Sequence, residues 1–246
     1  MRKPKVAFFD FTCCEGCQLQ VANLGEELFD LLEVIDVVEF REVMSEKWEG
    51  NFDVAIVEGS ITDAHGVERI KKIRERCKVL IAYGSCATIG GVNGIKNGFD
   101  LGEIGKYVYG SSYHFFPTEE TRPVHDVVKV DYFVNGCPIY LPEFKEVLKA
   151  ALQGIPYHVP DYPVCVECRL NENVCMYEKG VSCLGPVTRG GCNSWCVNNG
   201  NICYGCRGMV SNPNEKGMKD VLASYSVPLD QIMNKMGMYN RCREKK

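Results

Sequence analysis

Eight of the chain's fifteen cysteines fall between residues 165 and 206, where glycines are many and large aliphatic residues few. A segment of that composition is not expected to close around a conventional hydrophobic core, because it has too little apolar area to offset the entropy of ordering its backbone. Something bound has to hold it. The earlier cysteines are placed differently. Cys13, Cys14 and Cys17 follow the apolar run KVAFFDFT (5–12), Cys86 ends KVLIAYGSC (78–86), and Cys137 ends VDYFVNGC (130–137).

Those runs belong to a wider pattern. Strand candidates at 5–12, 34–40, 52–60, 78–86 and 130–137 alternate with amphipathic helix patterns at 19–33, 62–77 and 141–153, the last beginning beside Pro142. Several runs are apolar on both faces, as buried parallel strands are. The pattern predicts an α/β, flavodoxin-like doubly wound parallel sheet over residues 1–158. A small Cys-rich domain follows over 159–246, its tail forming one or two helices that pack back on the protein. Ligand sites of doubly wound sheets lie at the carboxyl ends of the strands. Cys14, Cys17, Cys86 and Cys137 therefore aim at one sheet edge, beside Glu58 at the end of the third strand. Residues 87–129, broken by Pro117 and Pro123, read as a long irregular excursion next to that edge.

With 28 Lys and Arg against 32 Asp and Glu, the chain has no basic surface of the kind that nucleic acid or an anionic membrane requires. No apolar run is long enough to span a bilayer. The opening MRKPK leads into an apolar stretch interrupted at Asp10, which does not read as a signal peptide, so a cytoplasmic chain is expected. In a reducing compartment dense cysteines bind metal more often than they pair, and an odd number fits a complete disulfide framework poorly.

The late cysteines read Cys165-x2-Cys168-x6-Cys175-x7-Cys183, then Cys192-x3-Cys196-x6-Cys203-x2-Cys206. These are two sets of four, and Cys14-x2-Cys17 with Cys86 and Cys137 makes a third. Four thiolates are the ligand set of a 4Fe-4S cluster and equally of a tetrahedral structural zinc; spacing leaves both open. Gly16, Gly84 and Gly136 would let backbone approach a bulky inorganic ligand. Cys13 competes with Cys14 for the first set, and the x2 spacing to Cys17 favours Cys14. Cys77 reads as a buried thiol and Cys242 as an exposed one. Glu58 is either a carboxylate at a helix N-terminus or a hydrogen-bonding or proton-relaying group beside the first set. Arg189 either tunes a cluster through its charge or makes a surface ion pair.

The runs CEGCQLQ, VEGS, GSCATIGG, NGCP, CVECRLNENVC, CLGPVTRGGCNSWC and CYGCRG resemble the small subunit of cytoplasmic nickel-iron hydrogenases, of the sulfhydrogenase delta, F420-non-reducing and bifurcating types. The resemblance extends from residue 5 to about residue 210. It implies a proximal 4Fe-4S cluster on Cys14, Cys17, Cys86 and Cys137, beside the nickel-iron centre of a separate large subunit. It also implies that 159–246 is a small ferredoxin-like iron-sulfur domain, with a medial cluster on Cys192, Cys196, Cys203 and Cys206 and a distal one on Cys165, Cys168, Cys175 and Cys183. Membrane-bound relatives have a histidine in the distal set and a proline in the medial one. Both positions are cysteine here, so three 4Fe-4S clusters are expected. By the same resemblance the chain carries no catalytic residue of its own, acts on H2 only within a complex, and passes electrons to a flavin or iron-sulfur acceptor subunit. The alternative is the cluster-bearing subunit of a complex I-like quinone-linked oxidoreductase, which shares the N-terminal fold but lacks the eight-cysteine segment. Nothing in the sequence selects the terminal electron acceptor.

Overall fold

The computed structural model describes residues 2–226 and 228–242. Five parallel strands, β1 (Lys5–Asp10), β2 (Asp36–Phe40), β3 (Phe52–Glu58), β4 (Cys77–Tyr83) and β5 (Tyr132–Val134), lie in the order β2-β1-β3-β4-β5. This is the flavodoxin-like order, whose winding reverses between β1 and β3. Register fixes what meets at that reversal, because Asp10 pairs with Glu58 and the Phe11 amide donates to the Glu58 carbonyl at 2.8 Å.

Alternation along the strands sorts side chains onto two apolar faces. Phe8, Ile56, Ile81 and Tyr83 face α6 (Leu141–Gln153), which contributes Phe144, Val147 and Leu148. Ala55, Val57, Leu80 and Ala82 face α3 (Ala64–Arg76) through Ile70 and Ile73. The sequence pattern at 19–33 divides into α1 (Gly16–Ala22) and α2 (Glu26–Val34), since the chain turns at Gly25 with φ of 65°. Residues 87–129 are less irregular than expected. They hold the second half of α4 (Gly84–Ile89), a 3-10 run at Val92–Gly98, α5 (Leu101–Tyr109) and further 3-10 turns. Such short helices rest on local caps rather than on periodicity: the Asp100 side chain accepts from the Glu103 amide at 2.8 Å.

Beyond the sheet come α7 (Val164–Leu170), α8 (Trp195–Asn198), α9 (Glu215–Ser224) and α10 (Leu229–Asn240). The expectation of no conventional core here is corrected. Met218, Leu222 and Ile232 from the two tail helices pack on Val164, Leu184 and Val197, with Cys183 and Cys203 inside the same cluster. The segment's own Val164, Leu184, Val187, Val197 and Ile202 make most of that aliphatic core, and the tail helices complete it. The end of α10 then crosses to the sheet side, where it packs on α4 and the 3-10 run at Val92–Gly98.

Phe144 is fully buried, with its ring centroid 5.9 Å from that of Tyr83. Phe144→Ala is predicted to cost about 3–5 kcal/mol, read as a lowered midpoint of thermal or denaturant unfolding.

Candidate metal centres

The first thiol set forms where three loops leave the carboxyl ends of β1, β4 and β5. Cys17 lies in the first turn of α1, Cys86 in α4, and Cys137 three residues past β5. The structure brings these together with Cys14: Cys86 is within electrostatic reach of Cys137 and Cys14, and Cys17 of Cys137. Cys13 is half-buried and also faces Cys86. Gly84 shows why the loop before Cys86 has this sequence, because its φ is 82° and a Cβ there would stand 2.5 Å from Sγ of Cys17. Glu58 is 2 % exposed and accepts from the amides of Cys17 at 3.1 Å and Gln18 at 2.9 Å, so its carboxylate ends α1 and fixes the cysteine loop. Burial pushes its carboxyl above the usual range, against the pull of those two amides.

The second and third sets lie beyond the sheet. Cys165 and Cys168, one turn apart on α7, line a cavity of about 290 Å³ with Cys175 and Cys183. A Cβ at Gly185 would lie 3.1 Å from Sγ of Cys165 and 3.6 Å from Sγ of Cys183. Cys192, Cys196, Cys203 and Cys206 line a smaller cavity of about 50 Å³, which Cys137 also reaches. Backbone amides point at the sulfurs. The Cys203 amide donates to Sγ of Cys183 at 3.2 Å, Cys203 accepts from the Gly205 amide, and Cys206 accepts from the amide of Cys137. Burial pushes Cys86, Cys165 and Cys206 up to about 12. Thiols held this way are not poised as free thiolate nucleophiles and need a nearby cation to ionise.

The donor chemistry fits iron-sulfur clusters, with four thiols to a set, amides aimed at sulfur and glycines where a side chain would intrude. Buried polar atoms without a protein partner gather beside the first set: both amide atoms of Gln18, the Tyr83 hydroxyl and Oδ1 of Asn135. Among the described residues, no three Cys, His, Asp or Glu side chains close around a point as a single chelated ion requires.

A family model described as "NADH ubiquinone oxidoreductase, 20 Kd subunit" matches residues 14–151. Sulfhydrogenase 2 subunit delta of Pyrococcus furiosus is 38% identical over 96% of this chain and 99% of its own length. A subunit of the F420-non-reducing hydrogenase vhu of Methanocaldococcus jannaschii is 31% identical over 96% of this chain and 93% of its own. A chain from the crystal structure of an NAD+-reducing [NiFe]-hydrogenase in the H2-reduced state superposes with a TM-score of 0.57 and 27% identity, covering 65% of this chain and 96% of that one. The chain belongs to the family of hydrogenase small subunits. Such a subunit is part of an oxidoreductase complex acting on H2. No helix among the described residues is long and apolar enough to cross a membrane.

One buried charge beside the thiols of this hydrogenase small subunit was missed by sequence reasoning. Arg207, 1 % exposed, donates to both Glu143 oxygens at 2.6 and 2.7 Å and to the carbonyls of Gly190 and Asn135, both at 2.6 Å. It lies within electrostatic reach of Cys192 and Cys206. Gly191, with φ of 101°, leaves it room. Glu167, on α7 between two cysteines, accepts from the amides of Gly191 and, at 3.0 Å, Ser194, and so holds the loop that carries Cys192. Adjacency to a cysteine in CVEC and CRG was the available signal for both. Arg189, by contrast, pairs with Asp161 at the surface. Cys77 is buried. Cys242 is not exposed as expected: it is half-buried and donates to the Thr121 carbonyl at 3.2 Å.

Arg207→Met should cost about 3–5 kcal/mol, because it leaves Glu143 buried without its cation. Arg189→Met, at an exposed pair, should cost about 0–1 kcal/mol. Thermal unfolding of the two variants side by side checks the contrast.

Proposed function

We propose that this hydrogenase small subunit holds three 4Fe-4S clusters and carries electrons between the nickel-iron site of a large subunit and a flavin or iron-sulfur acceptor subunit, in the cytoplasm. Cys14, Cys17, Cys86 and Cys137 are the proximal ligands, Cys192, Cys196, Cys203 and Cys206 the medial ones, and Cys165, Cys168, Cys175 and Cys183 the distal ones. The chain divides into a flavodoxin-like unit, 1–158, and a Cys-rich unit, 159–246.

The observation that carries the reading is the linkage of the three sets in a row. The Cys137 amide donates to the Cys206 sulfur, joining the first set to the set beyond it, and the Cys203 amide donates to the Cys183 sulfur, joining that set to the last. When bound, 4Fe-4S clusters supply one-electron transfer at potentials set by nearby charge, hydrogen bonds to sulfur and solvent exposure. The residues of this chain supply those settings. Glu58 fixes the loop of Cys14 and Cys17, Arg207 sets a buried positive charge beside Cys192 and Cys206, and Glu167 holds the Cys192 loop. The quinone-linked alternative gives no role to the eight thiols at 165–206, which lie outside the family match to residues 14–151.

Iron and acid-labile sulfide in the anaerobically purified complex should each come to about twelve per chain, four for each four-cysteine set. A nickel-bearing larger chain should co-purify. Cys14→Ser should lose about four iron atoms and Cys13→Ser none. Zinc in place of iron would overturn the cluster reading, and loss of iron in Cys13→Ser alone would overturn the ligand assignment.

A further inference from the structure

The junction between the first thiol set and the set at 192–206 lies beneath the C-terminal helix. There the Cys137 amide donates to Sγ of Cys206, and the Ser85 hydroxyl donates to the Cys206 carbonyl. Tyr239, on the last turn of α10, lines the same small cavity as Cys137, Cys196, Cys203 and Cys206. Its hydroxyl and the Cys137 sulfur line that cavity together and lie within electrostatic reach of each other, and Cys206 and Cys86 are both within reach of the hydroxyl. It is therefore the side chain from outside the cysteine loops that touches the junction from the tail.

The helix is anchored on both sides of that point. Ile232 is buried in the Cys-rich core, and Lys235 donates to the Ser182 carbonyl at 2.9 Å. On the sheet side, Cys242 donates to the Thr121 carbonyl, and Asn97 donates to its sulfur at 3.6 Å. With α10 held at residues 232–235 and again at 242, Tyr239 has little freedom to leave.

We propose that Tyr239 is a positioning residue for electron transfer: it donates a hydrogen bond to Sγ of Cys137, covers the contact between Cys137 and Cys206, and raises the reduction potential at the first set. This rests on the ligand assignment proposed above. A donor to a ligating sulfur favours the more negative, reduced state of the group the sulfur holds, so losing the donor lowers the potential. A residue that only packed the tail would change stability and leave one potential among three unmoved.

The test uses the assembled complex, with each cluster's midpoint potential followed by redox-titrated electron paramagnetic resonance. Tyr239→Phe keeps the ring and removes only the hydroxyl. It should retain full iron content and lower the potential at the Cys14, Cys17, Cys86 and Cys137 set while the other two stay in place. Genetically encoded 3-fluorotyrosine at position 239, nearly the same size and a stronger donor, should move that potential upward, and it reads the bond even if the Phe variant fails to assemble. Shifts of opposite sign support the proposal. No shift in either variant with full iron content, or shifts of the same sign, overturns it while leaving the function reading intact. A wild-type complex without a cluster at the first set would instead overturn the ligand assignment itself.

Discussion

The joint between the sheet and the Cys-rich segment is built around one guanidinium with almost no water near it. Arg207 is held by Glu143 from α6 and by the carbonyls of Asn135 and Gly190. Asn135 stands two residues before Cys137, Gly190 two before Cys192, and Arg207 directly after Cys206. A single planar group thus fixes the relative positions of three cysteine loops drawn from both halves. Desolvating the two ions costs several kcal/mol apiece, so the pair is not there for stability alone. Its directional bonds define one docking geometry, which a patch of aliphatic contacts of similar area would leave free to slide.

The same economy of position governs the thiols. In a doubly wound sheet the loops at the carboxyl edge are short of regular backbone bonds, and their amides are free to point at a ligand. At the sheet edge they point at sulfur, Ile139 at Cys17 and Cys137 at Cys206, and in the Cys-rich segment Gly205 points at Cys203, and Gly185 and Cys203 at Cys183. Each such amide lowers the cost of negative charge on a sulfur that burial otherwise keeps protonated. The two effects oppose each other, and the balance lies with burial until cations arrive.

Much of this was legible in advance because it depends on local sequence. The five strands read from two-faced apolar runs, and the gathering of Cys14, Cys17, Cys86 and Cys137 at one sheet edge from their strand-end positions. What was missed depends on the meeting of distant segments. Arg207 and Arg189 look alike in sequence, each inside a glycine-rich cysteine motif, and only the approach of α6 gives Glu143 to the first while Asp161 keeps the second at the surface. Cys242 read as exposed because it follows a tail helix, yet that helix docks on the 3-10 run at Val92–Gly98 and buries it in part. The core beyond the sheet was missed because Val164, Leu184, Val187, Val197 and Ile202 are scattered without helical or strand periodicity among the cysteines, and Met218, Leu222 and Ile232 join them from a distant helical tail.

That late arrival of apolar side chains has a consequence for how the chain reaches its fold. The sheet has two full apolar faces and can form from contacts among residues before 155. The Cys-rich segment has a smaller core that includes two of its own thiols and is completed by Met218, Leu222 and Ile232 of α9 and α10. Binding at the thiols adds to that order, since thiol ligands release protons on binding and the binding free energy becomes folding free energy. Because α10 also reaches Cys137 through Tyr239, closing the tail joins the two halves at the point where their thiol sets touch. The last helix thus contacts both the core of the Cys-rich segment and the thiols of the sheet-edge site.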